Sequence, residues 1–169
     1  MPPPLIAAVP TGICYRPMRD EDLPFLGQLY AESRREEVAA TGWPPEAQAA
    51  FLAQQFDAQH RHYQGHYPAA EWLMIERGGE RIGRLYLVEW PSQFRVIDIT
   101  LAEGCRGRGI GRAILEDVQS MAAAAGKRVS IHVEKMNPAM KLYLRLGFER
   151  SEDQGVYDLM EWRPGGPVS

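Results

Sequence analysis

Three glycines at alternate positions, Gly107, Gly109 and Gly111, are interleaved with Arg106, Arg108 and Arg112 and run directly into the apolar stretch AILEDV. Without a β-carbon, glycine lets main-chain N–H groups close around a ligand. The first N–H groups of a helix have no partner within it and carry partial positive charge, so a phosphate or diphosphate suits such a turn. Elsewhere, the chain offers the phenol of Tyr143 and three carboxylates on strand-like runs, Glu89, Asp98 and Glu134, as groups able to move protons.

The spacing excludes two nucleotide chemistries. A triphosphate-hydrolysing loop ends in Gly-Lys-Ser/Thr, whereas this run ends in Gly-Arg-Ala. A dinucleotide fingerprint needs a third glycine three residues after the second. Counting from Gly107 and Gly109 puts Arg112 there, and a long side chain would obstruct close helix-to-strand packing. Glu134 stands where a ribose-binding acid would, but the glycines do not support that reading.

The elements that must position these groups follow from periodicity. TGICYRPM reads as a strand, and Asp20 or Asp22 can cap a helix carrying Phe25, Leu26, Leu29 and Tyr30 on one face and ending near Thr41 and Gly42. GWPPEAQAAFLAQQF restarts a helix, with Pro45 in its first turn. Two strands then flank Gly78-Gly79, a pair that permits a tight hairpin, and FRVIDITL completes a meander. After the glycine-rich turn come a helix to about Ala125, the strand RVSIHVE, a helix from Asn137 to about Leu146, and a last strand pair around Gln154-Gly155. The expected fold is α/β (α+β): a mixed, mainly antiparallel central sheet flanked by helices. Residues 11–163 are expected to form one domain, with 1–10 and 164–169 as flexible tails.

The chain has 169 residues and a formal net charge of −3, which offers no general attraction to nucleic acid or to an anionic membrane. Cys14 and Cys105 lack metal or redox spacing, and no signal-peptide pattern opens the chain, so a cytoplasmic setting is expected. His60, His62 and His66 would share one helix, but the first two point to different faces, so no metal site is expected.

Arg106-x-x-Gly109-x-Gly111, preceded by IDITL, resembles the diphosphate loop of the GNAT superfamily of acyl-CoA N-acyltransferases. The second stretch, NPAMKLYLRLGFER, resembles that superfamily's other signature, through Asn137, Ala139, Leu142-Tyr143 and Leu146-Gly147-Phe148. In element order the likeness runs from about Ile13 to Trp162. It implies a GNAT-like fold and acetyl-CoA as co-substrate, held by Ile99, Thr100, Leu101, Arg106, Gly107, Arg108, Gly109, Ile110, Gly111, Arg112, Asn137 and Tyr143. It also implies that the strands bearing DITL and SIHVE splay apart for the pantetheine arm, and that Tyr143 serves as general acid in direct attack by an amine. An N–H near Ile99 to Leu101 would receive the thioester oxygen. Asp98, Glu134 and Glu89 are the candidate bases. Acceptor choice would fall to the first two helices and their link, where Glu36, Glu37 and Trp43 stand. A homodimer through the last strands is compatible, and the alternative function is a catalytically silent acyl-CoA-binding domain.

Overall fold

The computed structural model describes residues 1–165, so the last four residues of the expected C-terminal tail lie outside it. In chain order the elements are β1 (Ile13–Pro17), α1 (Leu23–Ser33), α2 (Arg35–Ala39), α3 (Pro45–His66), β2 (Glu71–Arg77), β3 (Glu80–Glu89), β4 (Gln93–Leu101), α4 (Ile110–Ala124), β5 (Arg128–Glu134), α5 (Met140–Arg145), β6 (Glu149–Gln154) and β7 (Tyr157–Trp162). The strands form one sheet in the order β1-β2-β3-β4-β5-β7-β6, in which the β4–β5 pair alone is parallel. This is the mixed, mainly antiparallel sheet that the sequence predicts.

Two apolar layers hold it. On one face α4 lays Ile110, Ile114, Leu115 and Val118 on Leu85, Leu87, Val96 and Ile131. On the other, α1 and α3 bring Leu26, Leu29 and Phe56 onto Met74. Tyr63 and Trp72 meet Tyr86 edge-on between α3 and the sheet, with ring centroids 6.0 and 4.9 Å apart.

Three sequence expectations change. The first helix does not continue to Thr41: Arg34 leaves helical geometry at φ −113° and ψ 6°, dividing α1 from α2. The helix expected from Asn137 is shorter, because Asn137 and the two residues after it form a turn before α5. The segment before Thr11 is not loose throughout. The buried Asp117 carboxylate accepts the main-chain N–H groups of Ile6, Ala7 and Ala8, and Ala8 is fully buried.

Candidate functional site

The site begins with a defect in β4. Leu87 pairs with Val96 and Tyr86 with Asp98, which leaves Ile97 as an extra residue. Such a bulge bends its strand and increases the local twist. Val96 is also the last residue of β4 to pair with β5, opposite Ile131. Beyond it β4 stays with β3 as far as Leu101 and β5 stays with β7 as far as Glu134. The two central strands therefore part at one bulge, and the DITL and SIHVE segments stand on either side of the opening.

The glycine-rich turn closes one end of this opening. Gly107 and Gly109 have φ of +73° and +79°, a region that side chains with a β-carbon avoid. Gly109 caps the 15-residue α4 without contributing a side-chain acceptor. Among the described residues, the main-chain N–H groups from Gly107 to Arg112 meet no main-chain carbonyl. They form an anion-receptive nest at the positive end of a helix. The arginines differ in their duties. Arg106 donates Nε–H to the carbonyl of Leu101 at 2.9 Å and ties the turn to the end of β4. Arg112 pairs with Glu116 at 2.8 Å along the helix, and Arg108 is exposed. Ile110 points into the core, so only its main chain faces the turn.

Tyr143 is 5% exposed, more buried than the flanking Leu142 and Leu146, and meets Phe148 edge-on at 5.7 Å. Burial, with the negative charge of Asp98 added, pushes its phenol above the ordinary tyrosine range. It therefore stays protonated at neutral pH. Asn137 accepts the N–H of Ala139 at 2.8 Å through its side chain and so shapes the turn that delivers α5 to the end of β5.

The three carboxylates have different surroundings. Glu89 pairs in register with Phe94 at the opposite end of β4 from the opening and is bound by Lys127 at 2.6 Å, so the fold does not bring it together with the other two. Asp98 lies beside the opening with both oxygens engaged. Thr100 donates to Oδ1 at 2.6 Å, while Arg84 at 2.8 Å and Tyr63 at 3.4 Å donate to Oδ2. The carboxylate thereby ties Thr100, Arg84 and Tyr63 together. Glu134 ends β5, and its contacts with Arg34 at 3.3 Å and the Tyr157 hydroxyl at 3.2 Å both fall on Oε1.

Sequence reading passed over three residues beside the opening. Arg84, almost fully buried on β3, reaches Asp98 and Gln59, and its guanidinium lies 4.9 Å from the Tyr86 ring centroid. An arginine amid the apolar run IGRLYLV was the available signal. His132 follows the last β4–β5 pair and touches Arg95 at 3.4 Å; burial and that cation push its imidazole down. Its alternation with Ser130 and Glu134 was visible. Arg34 was not legible, because its value depends on the break between α1 and α2. That elbow spans the opening: Arg34 reaches Glu134, Arg35 reaches Glu103 at 3.0 Å, and the Glu103 N–H reaches Glu32 at 3.2 Å.

The sequence model of the acetyltransferase (GNAT) family matches residues 27–148, from α1 through the glycine-rich turn to Phe148. The chain belongs to this family. Mycothiol acetyltransferase of Corynebacterium jeikeium is 37% identical over 81 residues, 47% of this chain and 20% of that protein. Its counterpart in Corynebacterium aurimucosum is 39% identical over 69 residues, 40% of this chain and 23% of that protein. The match thus spans only about a fifth of these curated relatives' length. Solved structures share the GNAT fold. The PaiA N-acetyltransferase of Thermoplasma acidophilum, in complex with coenzyme A, gives a TM-score of 0.66 at 18% identity, covering 89% of this chain and 98% of that one. A GNAT acetyltransferase of Elizabethkingia anophelis with acetyl-CoA bound gives 0.58 at 16% identity, covering 90% and 98%.

Proposed function

We propose that this chain is an N-acetyltransferase that transfers the acetyl group of acetyl-CoA to a primary amine by direct attack. The observation that carries the proposal is the bulge at Ile97, which opens β4 from β5 beside a turn whose N–H groups have no main-chain partner. The residues present fit acetyl-CoA. The diphosphate takes the N–H groups from Gly107 to Arg112, with Arg108 adding positive charge, and the amide-bearing arm lies along β4 from Ile99 to Leu101. The thioester oxygen receives a main-chain N–H of that segment.

Proton handling divides between two groups. An amine of pKa about 10.4 is almost wholly protonated at neutral pH and must lose a proton before it attacks. Glu134 takes that proton and passes it to solvent. The nitrogen then bonds to the thioester carbon and the carbon–sulfur bond breaks. Tyr143 protonates the departing sulfur while a proton lost by the nitrogen returns to the phenol oxygen. That return is required, because a phenol held above its ordinary pKa is a weaker acid than a thiol and cannot bear the deficit alone. The products are the N-acetyl amine and free thiol.

Release of free thiol from acetyl-CoA over a panel of amines, with calorimetric binding of CoA beside it, tests the proposal. Thiol release that depends on amine supports it. CoA binding without turnover across the panel would mark a silent binding domain instead. Gly109→Glu places a β-carbon at φ +79° and a negative charge at the head of α4, and should weaken CoA at least about 100-fold. Retained affinity would overturn the assignment of the turn.

A further inference from the structure

Between α1, α2 and α3 lies a cavity of about 390 Å³ whose apolar wall is Tyr30, Val38, Trp43, Phe51 and Leu52 and whose polar lining is Arg34, Glu37, Thr41 and Gln55. Trp43 and Phe51 meet edge-on at 5.4 Å yet remain 44% and 38% exposed. They contribute little to the core, which in this region is closed by Leu26, Leu29 and Phe56. The cavity adjoins the candidate active site through one side chain: Arg34 lines it and also reaches Glu134 at 3.3 Å. The one guanidinium of Arg34 is shared between Oε1 of Glu37 and Oε1 of Glu134, each at 3.3 Å. A second ammonium placed in the cavity would meet a carboxylate that is 65% exposed, where water screens the pairing, whereas an aromatic ring would find aromatic edges and aliphatic walls.

We infer that this cavity selects the acceptor, and that the acceptor is a primary amine carried one or two carbons from a ring-sized apolar group. The ring lies between Trp43, Phe51 and Leu52, and the amine extends past Arg34 to Glu134. This inference rests on the acetyl-transfer reading for its catalytic meaning. The cavity itself is tested by binding, which needs no turnover.

Calorimetry with phenethylamine, ethylamine and spermidine on the intact chain, with and without CoA, measures the preference directly. Phenethylamine should bind at least about tenfold tighter than either of the others, and the double variant Trp43→Ala/Phe51→Ala should lose that margin. Both positions are exposed, so truncation leaves the core intact, and a circular dichroism melt verifies this. Phenylalanylglycine in a parallel arm tells a free amine from a peptide amino terminus, and tight binding of either supports the inference. Spermidine or ethylamine binding as well as phenethylamine, absence of phenethylamine binding, or a margin unmoved in the double variant would overturn it. Failure of thiol release alongside a retained binding margin would instead strike the acetyl-transfer reading and leave the cavity's selectivity standing.

Discussion

Tyr143 illustrates how far one residue's role depends on what surrounds it. The phenol is buried and near enough to Asp98 for that charge to strengthen its hold on the proton. Replacing it with phenylalanine keeps the edge-on contact with Phe148 and removes only the hydroxyl. Tyr143→Phe should therefore lower kcat by about 100-fold while leaving CoA affinity within about twofold, measured by thiol release and calorimetry. An unchanged kcat would remove the phenol from the mechanism. A different residue governs acid stability. Arg16 at 2.7 Å, Arg81 at 2.8 Å and the Arg19 N–H at 2.8 Å hold the buried Asp22 carboxyl down to about 2. Because its folded pKa lies below the unfolded value, its stabilisation is complete above pH about 4 and is lost as pH falls toward about 2. Thermal melts across that window should show a steeper fall for the wild type than for Asp22→Asn.

At the level of elements, β4 is the decisive strand, and its neighbour β3 is adapted to it. A β-carbon at Gly83 would sit 2.4 Å from the carbonyl oxygen of Thr100 and 2.9 Å from the Leu101 side chain. The glycine lets β3 follow β4 closely where β4 has left β5. Gly83→Ala should cost about 2 kcal/mol or more in a chemical denaturation curve, since the nearest obstacle is backbone. It should also weaken CoA binding, because the displaced residues, Thr100 and Leu101, belong to the segment proposed to hold the pantetheine arm. A variant as stable as the wild type would show that β4 can shift freely there. The bulge also reorganises faces. Arg95 pairs with Val88 and Asp98 with Tyr86, so two residues three apart on β4 share one side of the sheet. Strict alternation of Ile97, Asp98, Ile99, Thr100 and Leu101 gives the order within the free segment but misses how it joins the rest of the strand.

Over the whole molecule, the N-terminal segment and α4 depend on each other. Asp117 receives three main-chain N–H groups from Ile6 to Ala8, and the helix bearing it begins at the glycine-rich turn. Asp117→Ala would leave those donors without their acceptor and should destabilise the chain by about 3 kcal/mol. For a chain of this size that corresponds to a fall in Tm of roughly 6–12 °C by calorimetry. Removal of residues 1–8 should produce a comparable loss, and no change in either variant would mean that the segment adds nothing to the folded state.

The element order, the hairpin at Gly78-Gly79, the glycine-rich turn and Tyr143 at the head of the last αβ unit were legible in the chain, because each depends on neighbours a few residues away. Periodicity, cap residues and positive-φ glycines act at that range. The surroundings of the carboxylates were not legible, since Glu89 lies far from the opening only by virtue of strand register, and Oδ2 of Asp98 is engaged because Arg84 stands on the next strand and Tyr63 on α3. The cavity behind Arg34 needs α1, α2 and α3 packed together, and Arg34 meets Glu134 across 100 residues of sequence. Local chemistry wrote the elements and the reactive groups; which of those groups face one another was decided by packing, because register and bulges are settled between strands and not within them.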